Sequence, residues 1–256
     1  EDPLALTELA GLHEQSQRWD ELVEILERLV YVVEDEGERV DAYQRLGRTY
    51  GDKLERERQA LDSWINALDI DPTNLETLET LKRLYEDSQA WVELIDILQR
   101  MVTLPQGVLE AERLRDLWAQ SGAVQDEHLM ATDDAIAAWL QVLALYGTDM
   151  EALAALEELY TNEGRWQEAI QILERKVDAV EDDESKIDVL MQIAGIYEEN
   201  LDNKYQAAAT YLGVLELQPG HPPAADALDA IYRETEQWEE LTNLLIPGKN
   251  DSDEEI

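Results

Sequence analysis

One tryptophan-centred phrase recurs along the chain, and its spacing constrains the fold more than any other feature. Trp19, Trp91, Trp166 and Trp238 begin the similar phrases WDEL, WVEL, WQEA and WEEL, and the differences between their sequence numbers are 72, 75 and 72. Each is preceded by a leucine at ten residues and by His or Tyr at six, namely His13, Tyr85, Tyr160 and Tyr232. A fixed period of this length indicates a stack of similar units, each packed on its neighbours.

A second unit lies between these phrases. Its markers are Leu46-Gly47, Tyr50, Ala60, Trp64 and Pro72, and they recur 147 residues later as Ile193-Ala194, Tyr197, Ala207, Tyr211 and Pro219. A middle copy keeps the later markers as Ala135, Trp139 and Gly147. Its first half is displaced by about three residues around 121–130, which predicts a longer loop between two helices there.

The apolar positions within each unit have helical spacing. They recur at intervals of three and four residues in Leu22, Ile25, Leu26, Leu29 and Val33, in Leu94, Ile97, Leu98 and Met101, and in Ala169, Ile170, Leu173 and Val177. Turn and capping residues separate the segments, as in Asp71-Pro72-Thr73-Asn74, Gly147-Thr148-Asp149 and Pro219-Gly220-His221-Pro222. No segment alternates like a strand, so the pattern predicts about fourteen helices paired in seven hairpins.

These markers resemble the tetratricopeptide repeat, a hairpin of two helices that carries Leu-Gly and a large aromatic residue on its first helix. The second helix of that repeat carries a small residue, an aromatic residue and a terminal Pro. The residues from Leu46 to Pro72 fit best, with one extra residue between the helices. The resemblance implies an all-α fold, a right-handed α-solenoid over residues 1–246, whose first helices line a concave groove. Residues 247–256 are polar and acidic and are expected to form a disordered tail.

The composition excludes several classes of function. The chain has 20 basic and 59 acidic residues, a formal charge of −39, whereas nucleic acids and anionic membranes require a basic surface. No apolar run reaches the length of a membrane span. Cys is absent, which excludes disulfides and thiolate chemistry. The composition does not indicate a cellular compartment.

No catalytic or metal-binding motif is present. His13, His128 and His221 lie far apart, and we interpret the first as a packing residue and the others as surface residues. The segment 69–73 begins like a calcium loop but lacks the later Gly and Glu. The four recurrent tryptophans are interpreted as interhelical core. We therefore expect no enzyme activity, no cofactor and no metal.

The resemblance also implies where a partner would bind, because ligands of this family usually contact fixed positions of the first helices. Projected on this chain, these positions include Glu76, Glu79, Arg83, Glu86, Glu158, Asn162, Asp188 and Glu198. They are mostly acidic, which disfavours the clamp for C-terminal carboxylates found in some members. An acidic groove favours a basic peptide or protein face instead. The leading hypothesis is a non-catalytic protein-interaction scaffold.

Two alternatives remain open from the residues alone. Acidic, lysine-poor proteins are typical of halophiles, so the charge could reflect a salt-rich habitat. The chain could also be the interaction module of a larger enzyme or of an envelope, secretion or motility assembly. It begins at Glu1 without Met, and no polar capping helix precedes Pro3, so we expect a longer chain or an assembly.

Overall fold

The computed structural model describes residues 2–245, and the regular structure in this part of the chain is all helical, with fourteen α-helices and no strand. The all-α prediction is therefore confirmed. The predicted tail, residues 247–256, lies outside the described residues. The helices form seven consecutive hairpins, and we call the first helix of each hairpin the A helix and the second the B helix.

The A helices are α1 (Pro3–Gln15), α3 (Glu36–Arg48), α5 (Leu75–Asp87), α7 (Ala111–Glu127), α9 (Met150–Asn162), α11 (Asp183–Gly195) and α13 (Pro222–Glu234). The B helices are α2 (Trp19–Val32), α4 (Glu57–Ile70), α6 (Trp91–Val102), α8 (Thr132–Leu145), α10 (Trp166–Ala179), α12 (Lys204–Leu217) and α14 (Trp238–Leu245). Two helices continue into a π-helical turn: α3 into Thr49–Lys53 and α11 into Ile196–Asn200.

The chain divides into two compact units, one up to Ala138 and one from Trp139, with the boundary inside α8. Unit 1 holds α1 to α7 and unit 2 holds α9 to α14. Within each unit the helices pack in chain order, so that α2 contacts both α1 and α3, and α10 contacts both α9 and α11. This nearest-neighbour packing is typical of helical repeats.

Most A helices are preceded by a residue whose side chain caps the helix N-terminus. Asn74 accepts a hydrogen bond from the Thr77 amide at 3.0 Å, and Asp149 accepts one from the Ala152 amide at 3.0 Å. Asp182 in the acidic run before α11 does the same for Ser185 at 2.7 Å. That backbone hydrogen bond holds the pKa of Asp182 below its ordinary value. These caps satisfy amide groups that the first helical turn leaves unpaired.

A left-handed residue stands two positions before every B helix. These residues, all with positive φ, are Gln17, Glu55, Gln89, Met130, Gly164, Asp202 and Glu236. In the Trp-bearing hairpins the turn is a Schellman motif, as in the bond from the Ala90 amide to the Tyr85 carbonyl at 2.9 Å. The intervening hairpins contain one more residue and bond through a π-type turn, as from Leu54 to Thr49 at 3.2 Å. This turn holds the extra residue noted in the sequence.

The longer loop predicted around 121–130 is wrong. Helix α7 continues to Glu127, and only residues 128–131 connect it to α8. Ser121 and Gly122 are buried where the first copy has Leu46 and Gly47, so the middle copy keeps the register of the first. Its Leu129 amide bonds the Val124 carbonyl at 3.3 Å, which matches the π-type turn of the first copy. The markers changed there while the backbone did not.

The core lies on the predicted helical faces. Leu22, Leu94 and Ala169 are almost fully buried at equivalent positions of the B helices. Trp64 is also buried, and it packs so closely on α3 that a Cβ at Gly47 would lie 2.4 Å from its Nε1 atom. The interpretation of the recurrent tryptophans as core is wrong for Trp238, which is 57% exposed. The other three are half-buried, because each begins a B helix at the edge of the hairpin.

Candidate interaction surface

Ion pairs connect consecutive A helices in unit 1. Arg45 of α3 donates to Glu14 of α1 at 2.8 Å, and Arg48 of α3 lies 2.5 Å from Glu76 of α5. The next pair joins α5 to α7, where Arg113 Nη2 donates to both carboxylate oxygens of Glu79 at 2.8 and 2.7 Å. Two of the predicted partner-binding carboxylates, Glu76 and Glu79, therefore already have a cation.

Glu86 is the most enclosed of the predicted carboxylates in unit 1. Lys82 donates to it at 2.5 Å, and the Gln120 amide of α7 also donates to it. Burial raises the pKa of Glu86, but these two hydrogen bonds and the charges of Lys82 and Arg113 outweigh it and leave the pKa below its ordinary value. The carboxylate therefore stabilises the contact between α5 and α7.

The remaining predicted residue of unit 1 is Arg83. It lies on the exposed side of α5, 3.9 Å from Asp87 one turn later. Both side chains are largely solvent-exposed, and such a pair contributes little to stability. Arg83 is available to solvent, but its charge is opposite to that of an acidic groove.

The predicted residues of unit 2 have a different environment. Glu158, Asn162 and Asp188 are exposed on α9 and α11. Glu198 is half-buried and accepts a hydrogen bond from the Tyr211 hydroxyl at 3.1 Å. Burial and the Glu198 charge raise the pKa of Tyr211 to about 12. Glu198 is therefore a packing residue as much as a surface charge.

Within residues 2–245, several exposed carboxylates on the A helices of unit 2 and on its π turn have no ion pair, and four of them lie beyond the first turn of their helix. They are Glu158, Asp188, Glu199 and Asp226, and all four are exposed. We call these four residues the acidic surface. The three A helices of unit 2 and their π turn hold eleven acidic and two basic residues. The four A helices of unit 1 and their π turn hold fourteen acidic and eight basic residues. The acidic excess is therefore proportionally larger in unit 2.

Sequence reasoning placed the acidic residues on the A helices but missed the ion pairs that neutralise them in unit 1. Each pair joins residues 28 to 34 positions apart, about one hairpin. A search for Arg and Glu at that spacing on successive A helices would have found them. Only the packing of the helices determines which of the many candidates meet.

The three histidines have separate local environments among the described residues, and no metal-binding group is found there. Among residues 2–245, no group of three or more His, Asp or Glu side chains could hold a metal ion. His13 is half-buried on α1, and His221 caps α13 through its Nδ1 atom, 3.4 Å from the Ala224 amide. His128 stacks on Trp91 with ring centroids 4.0 Å apart. None of the described helices is long and apolar enough to cross a bilayer.

Comparison with known proteins gives a family match on two segments. The family described as tetratricopeptide repeat matches residues 5–40 and 152–187. The two matches are 147 residues apart and fall on equivalent Trp-bearing hairpins, one in each unit. The residues from Leu46 to Pro72, which fit the repeat pattern best by inspection, lie outside both matches. A search of curated proteins finds no match.

Several solved structures are similar in fold. One is the crystal structure of the MamA protein, 23% identical with a TM-score of 0.42, covering 72% of this chain and 94% of that one. Another is YrrB, described as a TPR protein with an unusual peptide-binding site, 20% identical with a TM-score of 0.41, at 73% and 90% coverage. A third is a tetratricopeptide repeat protein from Parabacteroides merdae, 14% identical with a TM-score of 0.41, at 94% and 90% coverage.

Proposed function

Because the chain carries tetratricopeptide repeats, we propose that it is a non-catalytic interaction scaffold whose acidic surface in unit 2 binds a basic peptide or protein segment. Helical repeats of this kind present extended surfaces built from successive units, and they generally bind proteins or peptides. The observation that carries the proposal is a set of four exposed carboxylates that form no ion pair with any described residue, namely Glu158, Asp188, Glu199 and Asp226.

The charge of the acidic surface favours a basic partner for two reasons. Carboxylates that lack an internal cation attract Lys and Arg side chains over long range, which accelerates association. At contact each of them can accept charge-assisted hydrogen bonds, which are stronger than neutral ones. In unit 1 the corresponding carboxylates Glu76, Glu79 and Glu86 would first have to release Arg48, Arg113 and Lys82.

The eight residues projected from the sequence therefore divide into two groups. Glu158 and Asp188 belong to the acidic surface, and Asn162 lies one turn after Glu158 on α9. We propose these three, with Glu199 and Asp226, as the first contacts of the partner. Glu76, Glu79, Glu86 and Glu198 are proposed as a secondary set, because an internal partner holds each of them. Arg83 is placed with them because its positive charge does not favour a basic partner.

A matched pair of variants tests this function. The first replaces the acidic surface (Glu158→Gln, Asp188→Asn, Glu199→Gln, Asp226→Asn). The second removes four exposed carboxylates from B helices (Glu24→Gln, Glu93→Gln, Asp178→Asn, Glu216→Gln). Both change the net charge equally. The probe is a fluorescein-labelled peptide of three Arg-Ala-Lys-Ala repeats, and the measurement is its dissociation constant at several KCl concentrations.

The first variant is expected to bind roughly tenfold more weakly and with a flatter salt dependence, since four charge-assisted contacts are lost. The second is expected to bind within about twofold of the original chain, because only diffuse charge is removed. Equal weakening in both variants would mean that net charge alone attracts the peptide, and the proposed site would be rejected.

A further inference from the structure

Unit 1 contains a cleft that none of the proposed partner-binding residues lines. It has a volume of about 400 Å³ and is lined by residues of α2, α3, the first π turn and α4. That volume lies in the range of small-ligand sites. Among the described residues that line it, Glu27 and Asp62 are carboxylates and none is basic. The charged residues of its lining are therefore all negative, while the positive charges of Arg39 and Arg56 act on Tyr43 and Tyr50 from outside the lining.

Three tyrosines line this cleft at different depths. Tyr31 is 86% exposed and Tyr50 is 7% exposed, while Tyr43 is half-buried. The Tyr50 hydroxyl donates to Glu27 at 2.7 Å, which fixes its ring. Burial and the neighbouring Tyr31 raise the pKa of Tyr43, although Arg39 opposes this, so the phenol stays neutral. An exposed ring next to a half-buried ring leaves aromatic surface that no described side chain covers completely.

Aromatic faces and carboxylates together attract organic cations. An aromatic ring has a negative face that binds Arg or Lys within about 6 Å of its centroid. The part of the cleft lined by α4 carries acceptor groups, the Asp62 carboxylate and the Asn66 amide oxygen. A planar guanidinium can stack on a ring and donate N–H groups to such acceptors at the same time, which a compact ammonium group cannot do as well.

The equivalent positions elsewhere in the chain do not repeat this set. The residues 147 positions after Tyr31, Tyr43 and Asp62 are Asp178, Leu190 and Ala209. In the middle copy Thr103, Trp118 and Ala137 take these positions. The repeat backbone therefore does not by itself require three tyrosines and a carboxylate here.

We propose that the cleft lined by Tyr31, Tyr43, Tyr50 and Asp62 binds the guanidinium of an arginine side chain presented by a protein partner. Tyr31 stacks on the guanidinium plane, Asp62 accepts its N–H groups, and Tyr50 with Glu27 forms the floor. This site lies in unit 1 and is lined largely by B helices, so it is distinct from the acidic surface of unit 2. Binding at the cleft does not depend on binding at the acidic surface.

The test uses the full chain with ¹³C-labelled tyrosine rings, so that each ring reports its own environment by NMR. The probe is N-acetyl-arginine methylamide, and N-acetyl-lysine methylamide of equal charge is the reference. Tyr31→Ala and Asp62→Asn remove the proposed contacts. The matched controls are Tyr205→Ala, another highly exposed tyrosine at 76%, and Asp178→Asn, an exposed carboxylate at the position equivalent to Tyr31.

We expect the signals of Tyr31 and Tyr43 to shift saturably with the arginine probe, roughly threefold or more tightly than with the lysine probe. Tyr31→Ala and Asp62→Asn are expected to weaken this binding by about threefold or more, and the controls to leave it unchanged. If both probes bind equally well, or if the control variants lose as much affinity as Tyr31→Ala and Asp62→Asn, the binding is only diffuse attraction of cations to a strongly acidic chain. Either result would overturn the proposal. Thermal unfolding of each variant verifies that the fold is retained.

Discussion

The two units of this molecule share one repeat pattern but use their acidic residues differently. In unit 1 carboxylates of A helices pair with cations of the neighbouring A helix, as Glu79 does with Arg113. The paired carboxylates Glu157 and Glu234 of unit 2 instead bind Lys176 and Lys204 of B helices. In unit 2 the positions equivalent to Glu79 and Arg113 are held by Ala154 and Asp188, and Asp188 is exposed and has no ion-pair partner among the described residues. The two units therefore share the same backbone repeat but differ in how their acidic residues are paired with basic ones.

Individual substitutions account for the difference. Two ion pairs of unit 1 have no counterpart 147 residues later. Thr161 and Gln192 stand where unit 1 has Glu14 and Arg45. Gly195 and Pro223 stand where it has Arg48 and Glu76. On α9, Glu157 and Glu158 occupy the positions equivalent to Lys82 and Arg83 of α5. At these positions unit 2 thus has neither the cations nor the carboxylates of the unit 1 pairs, and it has additional carboxylates on α9.

The largest predicted effect on stability concerns the contact between a small residue of an A helix and an aromatic ring of the following B helix, because the two units have different residues there. Gly47→Ala would place a Cβ 2.4 Å from Trp64 Nε1, whereas unit 2 already has Ala194 facing the smaller Tyr211 at these positions. We expect Gly47→Ala to lower the free energy of unfolding by about 2–3 kcal/mol, because a buried Trp must move. Urea denaturation measures this.

The matched change is Ala194→Gly, which creates no collision. It is expected to cost only about 1 kcal/mol, from the poorer helix propensity of Gly. Losses of the same size for the two substitutions would show that Trp64 repacks without strain and that the units do not differ at this contact.

The turn before the third and fifth B helices gives the next comparison. Gln89 of unit 1 and Gly164 of unit 2 occupy equivalent positions with φ of 57° and 67°. Because a Cβ is strained there, Gly164→Ala is expected to destabilise the chain by about 1 kcal/mol, and Gln89→Gly to stabilise it by about 0.5–1 kcal/mol. Thermal unfolding of both variants tests the opposite signs; a change of the same sign in both would contradict the shared turn geometry.

A smaller effect separates the ion-paired carboxylates from the unpaired ones. Glu79→Gln removes the partner of Arg113, and both side chains are more than a third exposed. We therefore expect a loss of only about 0.5–1 kcal/mol, which decreases in molar KCl. Asp226→Asn should change stability by less than about 0.5 kcal/mol, because no cation is released. Equal losses at both positions would contradict the distinction between the units.

The smallest predicted effect is a pH dependence carried by Glu86. Its pKa lies below the ordinary 4.5 in the folded chain, so it binds protons less readily when folded than when unfolded. Its contribution to stability is complete above the ordinary pKa and is lost as the pH falls through the lowered one. Glu86→Gln should therefore flatten the stability profile in this acidic range. The position equivalent to Glu86 in unit 2 is Thr161, which does not titrate. Urea denaturation between about pH 6 and 3 tests this, and parallel profiles would contradict it.

Helical spacing in the sequence was sufficient to predict the helices and their pairing. Leu94, Ile97 and Leu98 lie on one face of α6 and are all buried, because a period of 3.6 residues directly reports the buried side of a helix. The register of the middle copy was not predictable in this way. Its Ser121 and Gln125 replaced the markers Leu46 and Tyr50, although its hydrogen bonds kept the same turn.

The candidate surface was predictable only in part. The sequence indicated which residues lie on A helices, but the pairing of Glu79 with Arg113 depends on the relative positions of two helices separated by a hairpin. The cleft with Tyr31 was missed for a similar reason, since its lining comes from three helices and a turn. Trp238 was misjudged because a large aromatic residue at a helix start need not face the core.

The alternation of the two turn types has a genetic consequence. An exchange that joined the codon before Trp19 to that of Trp91 would delete residues 19–90 and leave a Schellman-type hairpin followed by a π-type hairpin, as before. Deletion of a single hairpin would instead bring two hairpins of the same type next to each other. The repeating unit of this protein is therefore a pair of hairpins: an in-frame deletion of 72 residues keeps the alternation of turns, whereas deletion of one hairpin breaks it.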